Sequence, residues 1–375
     1  MPRRRAVLFA ALYAGAVLYL SLYPWVFVPV PRTPGLFWIP LSDRRLLLDS
    51  VLNVFFYMPL GAAIAIAVEN AAAGVLAATG FGLLLSFAVE WTQRYIPFRI
   101  GNLNDLLANT GGAFIGAIAA LVWGRLARVL RARGHATVLF PDAAILAVLW
   151  LAWNAFLLLP AINRMELPPR FVWMETGAAF FGFAALTLAL KPHPVIAGIL
   201  ALAPVPALSA YPPVLLIRMA AIAAASLVAR FANPALARFL GTASVLWLAF
   251  QELYPFVWTW TPQAFFWVPF QSLFLTRPQS YYPLLFGKLF FYTAVIWALR
   301  YQGLAFRWAV AFPAAVLAAG EFAQRFMPGR FPESTDLVLM ATGAFLLWIA
   351  DAESRSSAGR PAAARMRDQI SRAQE

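Results

Sequence analysis

Long apolar runs follow one another along the chain, each closed by a short polar or proline-rich stretch. They predict helices at about 6–22, 50–68, 72–95, 103–123, 141–159, 171–190, 194–209, 211–231, 238–254, 284–300, 308–327 and 335–350. Crossing a hydrocarbon layer takes roughly 20 helical residues, and the runs lack the polar-in, apolar-out alternation of a membrane barrel. Lipid offers the backbone no hydrogen-bond partners, so the spans are helices. Pro204, Pro206, Pro212 and Pro213 interrupt 194–209 and 211–231, which read either as spans or as broken, re-entrant segments. The expected fold class is all-α: a polytopic transmembrane bundle of about 12 helices, or 10 if both interrupted segments fall short.

Composition agrees. The 375 residues are 62% hydrophobic and 12% charged, and a mean hydropathy of +0.73 excludes a water-soluble domain. The net charge of +13 does not indicate nucleic acid, because the basic residues sit at the ends of apolar runs. With the N-terminus inside, 17 Lys and Arg residues fall on the cytoplasmic side, including Arg3, Arg4, Arg5, Arg125, Arg128, Arg131, Arg133 and Lys191, and 10 fall outside, including Arg32, Arg94, Arg99, Arg164, Arg170, Arg277, Arg325 and Arg330. This bias predicts an inner-membrane protein with both termini cytoplasmic. The first apolar run continues to Leu22 without a small-residue cleavage site and reads as an uncleaved helix. Residues 352–375, rich in Ser, Ala and Arg, read as a disordered cytoplasmic tail. The chain has no Cys, so a thiolate nucleophile and Cys-ligated metals are excluded.

An internal repeat appears at an offset of 231 residues. Glu90-x-x-Gln93-Arg94-x-x-Pro97-x-Arg99, then Asp105 and Gly112-Ala113-Phe114, recur as Glu321-x-x-Gln324-Arg325-x-x-Pro328-x-Arg330, Asp336 and Gly343-Ala344-Phe345. Leu22-Tyr23-Pro24 recurs as Leu253-Tyr254-Pro255 at the same offset, and Phe55-Phe56-Tyr57 as Phe290-Phe291-Tyr292 at an offset of 235. The chain therefore divides into a four-helix unit at 1–135, central helices at 136–237, a second four-helix unit at 238–351, and the tail. Four central helices would leave the two copies facing the same way, a parallel repeat of the kind that places carrier sites between halves.

Polar residues fall on single helical faces in the first unit. Asp49 and Asn53 are four apart; Glu90, Gln93 and Arg94 share a face; Asp105, Asn109, Gly112 and Gly116 continue one. In the expected topology these stripes converge at the outer ends of their helices. Three readings stand: a buried ion-pair and hydrogen-bond network fixing the helix packing, with Gly112-x-x-x-Gly116 admitting a close approach; a site where guanidinium and carboxylate groups bind a headgroup, phosphate or glycan; or acid–base catalysis by Glu90 and Asp105, with a divalent cation on Asp49 and Asp105. His135 and His193 fall on the opposite side, which argues against a His-based triad or zinc site. The run Arg125-x-x-Arg128-x-x-Arg131-x-Arg133 is a topology anchor against anionic lipid.

In order, Asp49, Asn53, Pro59-Leu60-Gly61, Glu90, Gln93, Arg99, Asp105, Asn109, Gly112 and Gly116 resemble the pattern of the VanZ-like family over residues 20–123. The second copy keeps Glu321, Gln324, Arg325, Arg330 and Asp336, but carries Lys288 for Asn53, Met340 for Asn109 and Leu347 for Gly116, and reads as degenerate. The resemblance implies a bacterial envelope protein. The family takes its name from a member associated with teicoplanin resistance, which suggests a lipid-linked or glycopeptide-type ligand at the outer face. Candidate ligand-binding residues are Asp49, Asn53, Glu90, Gln93, Arg94, Arg99, Asp105 and Asn109, with no cofactor or resident metal and membrane lipids as the surroundings. A membrane enzyme acting on a lipid or cell-wall precursor, and a non-catalytic scaffold, are the alternatives.

Overall fold

The computed structural model describes residues 3–40, 44–97, 99–132, 141–162, 169–275 and 278–350. Arg133, His135, Arg164, Arg277 and the tail lie outside the described residues. The chain forms two compact units, Met1–Ala136 and Thr137–Glu375.

The first unit contains α1 (Arg3–Ser21), α2 (Arg44–Ala67), α3 (Ala71–Gln93) and α4 (Leu103–Ala132). On α3 the buried positions are Gly74, Ala78, Gly82, Ser86, Val89, Glu90 and Gln93, while Leu76 and Leu84 stand outward at 73% and 68% exposure. Small and polar residues at four-residue spacing face the protein, and large apolar ones face away. This is how helices pack when the surroundings are as apolar as their side chains. Asn70 starts α3, its side-chain oxygen accepting the Ala73 N–H at 3.0 Å. α2 and α4 meet at backbone distance: a Cβ on Gly61 would lie 1.9 Å from the Ala113 carbonyl oxygen, one on Gly112 2.2 Å from that of Val54, and one on Gly116 2.0 Å from that of Met58.

The second unit contains α5 (Pro141–Phe156), α6 (Leu158–Ile162), α7 (Pro169–Ala189), α8 (Pro194–Ala201), α9 (Val205–Leu208), α10 (Pro212–Arg230), α11 (Pro234–Leu253), α12 (Gln271–Leu275), α13 (Pro278–Tyr301) and α14 (Phe306–Gln324), followed by α15 (Thr335–Ala350). Its core is aromatic. Phe290 of α13 lies 5.2 Å from the Trp150 ring and 5.8 Å from the Trp153 ring, both on α5, and Trp150 lies 5.0 Å from Phe183 of α7. The central helices thus fold together with the second repeat.

Among the described residues, α1, α2, α3, α4, α7, α10, α13 and α14 are long and apolar enough to cross a membrane, which makes the protein a polytopic helical membrane protein. The two proline-interrupted segments resolve differently. Residues 194–209 break into α8 and α9, because Pro204 and Pro206 remove helical N–H donors mid-segment. Residues 212–230 form one helix, because Pro212 and Pro213 occupy its first turn, where the missing N–H groups would have had no partner.

Candidate functional site

The site in the first unit lies where α2 begins, α3 ends and α4 begins. The chain between α1 and α2 is laced over this end: Val28 N–H donates to Tyr95 O at 2.8 Å, Arg32 N–H to Arg94 O at 2.8 Å, and Leu103 N–H to Phe37 O at 2.9 Å. Asn104 clamps Ile39 with its side-chain oxygen and nitrogen, at 3.0 and 2.8 Å. Asn102 caps α4 by accepting the Asn104 N–H at 2.8 Å.

Within this frame the predicted residues separate. Glu90, 3% exposed, accepts the Asn102 N–H on Oε2 at 2.8 Å and lies within electrostatic reach of Asp105 and Arg99. Asp105 is hydrogen-bonded by the side chains of Asn53 and Asn102 and feels the charges of Asp49 and Arg99. Asn109 donates to the Ser86 hydroxyl at 2.9 Å, and its buried Oδ1 has no partner among the described residues. Asp49 is exposed, while Asn53, Arg99 and Asp105 are half-buried. The group therefore runs from an exposed rim at Asp49 inward to Glu90 and Asn109. The Arg99 guanidinium makes no ion pair as close as 4.0 Å among the described residues.

Gln93 and Arg94 do not join this group. Gln93 donates to the Ser21 carbonyl at 3.0 Å. Arg94, 4% exposed, donates through Nε to the Thr33 carbonyl at 2.9 Å and stacks 3.9 Å from the centre of the Trp91 ring. Both residues hold the α1–α2 connection in place. Sequence reasoning missed Ser86, Asn102 and Asn104; the Asn102-x-Asn104 pair at the start of α4 was the available signal, since such residues favour helix starts.

Residues 9–124 match the family described as VanZ/LLP1. The first unit is VanZ-like. Its Pro-Leu-Gly and Gly-x-x-x-Gly elements are the α2–α4 contact, and its acidic and amide residues line the open end of the VanZ-like bundle. No curated protein and no solved structure is significantly similar to the chain.

The second unit repeats the same hydrogen bonds. Thr259 N–H donates to Phe326 O at 2.7 Å, Gln263 N–H to Arg325 O at 2.6 Å and Ser334 N–H to Phe266 O at 3.1 Å. Gln324 donates to the Glu252 carbonyl at 3.2 Å, Arg325 to the Gln263 carbonyl at 3.2 Å, and Glu321 Oε2 accepts the Glu333 N–H at 2.8 Å. Lys288, in place of Asn53, places its ammonium 2.7 Å from both oxygens of Asp336. Arg330 donates to the carbonyls of Gln251 and Glu252 at 3.2 and 3.3 Å. Glu252, Glu321 and Asp336 bring carboxylate oxygens within 4.8 Å of one another. Glu252 occupies the position of Ser21, and sequence reasoning overlooked it although the offset of 231 residues pairs the two.

Proposed function

We propose that this is a VanZ-like protein of the bacterial inner membrane, with both termini cytoplasmic, whose first unit binds a lipid-linked or glycopeptide-type ligand at the outer face. The observation that carries the reading is the graded polar group ending at Asp49 and Arg99: a guanidinium held beside carboxylates without a close ion pair is suited to take a phosphate or carboxylate in a bidentate hydrogen bond. Asp49, Asn53 and Asp105 would accept hydrogen bonds from the hydroxyl and amide groups of the same headgroup. The excess of Lys and Arg at the other helix ends orients this end outward. Glu90 favours binding over turnover, because one of its oxygens already holds the α3–α4 turn. A part in resistance to teicoplanin-type glycopeptides belongs to this reading.

The test compares R99A with R94A in detergent, using a lipid-linked cell-wall precursor and a glycopeptide as probes. R99A should lose at least tenfold in affinity for one of them with an unchanged melting temperature. R99A binding both probes as wild type does would end this reading.

A further inference from the structure

The second repeat is not simply a worn copy of the first. Where the first has the neutral Ser21 and Asn53, the second has the buried Glu252 and the half-buried Lys288, an acid and a base at the matching positions. Glu252 on α11, Glu321 on α14 and Asp336 on α15 are 3%, 3% and 1% exposed, with oxygens of all three within 4.8 Å. Lys288 and Tyr292 of α13 bond Asp336 at 2.7 and 2.9 Å, and Arg330 feels the charge of Glu252. Among the described residues, these three carboxylates share the cations Lys288 and Arg330, and a fourth, Glu333, is held beside them by Ser272 and Tyr281. In a low-dielectric interior an uncompensated charge is costly and is relieved by taking up a proton.

A second observation extends the polar layer. Glu175 of α7, 4% exposed, has a buried Oε2 with no partner among the described residues. That oxygen would lie 2.8 Å from a Cβ on Gly287, beside Lys288, whose charge it feels. Arg218 of α10 balances it and stacks 4.6 Å from the Trp153 ring. Among the described residues, Tyr281 also acts on Lys288 and donates to Glu333 at 2.8 Å.

We propose that the interior of the second unit binds one exchangeable proton, shared between Glu252 and Glu321 beside the Lys288–Asp336 pair. The proton bonds one carboxylate oxygen and relieves the repulsion of the neighbouring carboxylate, whose oxygens lie within 4.8 Å; on release it passes to water and the site regains one negative charge. A metal ion fits less well. The Lys288 ammonium already occupies both Asp336 oxygens, and the Gln324 amide and the Glu333 N–H occupy oxygens of Glu252 and Glu321, so a metal ion would compete with a resident cation and with donors already in place.

The full chain in lipid nanodiscs, followed by infrared difference spectroscopy as pH is varied, reads the site through the C=O stretch of a protonated carboxyl. Wild type should show a component that disappears as pH rises, and E321Q and E252Q should each remove that same component, because the proton is shared. K288M should add a second component by leaving Asp336 without its cation. Melting curves establish that each variant is folded, and K288M alone decides if the Glu variants are not. Glu variants that leave the spectrum intact or remove different components, K288M with no added band, or a component that follows Na+ at constant pH would each overturn the proposal.

Discussion

Arg94 and Arg99 carry the same charge within one short stretch and sit in different surroundings, one buried and one half-buried. Arg94 is enclosed, bonded to Thr33 and stacked on Trp91, so R94A should destabilise the first unit by about 1.5–3 kcal/mol, the usual loss for a buried hydrogen bond to a charged group. Thermal melts would show it as a lower transition for R94A and not for R99A. The sequence places both residues on the polar end of the bundle, but helical periodicity cannot distinguish them. That depends on where the loop between α1 and α2 returns, and loop paths leave no periodic trace. Glu90 was legible for a different reason: a carboxylate so far into an apolar helix needs a partner. The partner, the backbone N–H of Asn102, was not, because any residue supplies one.

Among the elements, the α2–α4 contact has the least tolerance. Gly61, Gly112 and Gly116 stand against carbonyl oxygens of the facing helix, so a side chain at any of them forces the backbones apart. G112A should cost about 1–3 kcal/mol through overpacking, and G116L more, although Leu347 occupies the matching position of the second copy. Chemical denaturation of the reconstituted variants would measure both. A G116L protein as stable as wild type would mean that the helices do not meet there. The Gly-x-x-x-Gly spacing made this contact readable in the sequence, whereas the break between α8 and α9 was readable only as a choice, since a proline ends a helix or begins one according to where the first turn falls.

For the whole molecule, the two copies share a loop-and-helix framework and differ in what it encloses: a polar group with an exposed rim in the first unit, a buried charged group in the second. The shared framework was legible because its residues, Gln93 with Gln324 and Arg94 with Arg325, sit at constant offset. The joining of the central helices to the second copy was not, because it rests on Trp150 and Trp153 meeting Phe290, and apolar residues give no sign of which apolar neighbours they choose. Residues 1–136 expressed alone should therefore give a monodisperse folded unit in detergent, and residues 238–350 alone should aggregate; size-exclusion profiles check both. A reporter that fluoresces only in the cytoplasm should be bright when fused to the C-terminus.

The central claim, that the polar end of the VanZ-like unit is a ligand site, is tested most directly by the thermal stability of wild type and R99A with and without lipid-linked precursors and glycopeptides. The account predicts that one ligand raises the melting temperature of wild type and leaves an equally well-folded R99A unmoved. No stabilisation by any ligand, together with a much lower melting temperature for R99A alone, would contradict it and leave the group a packing device.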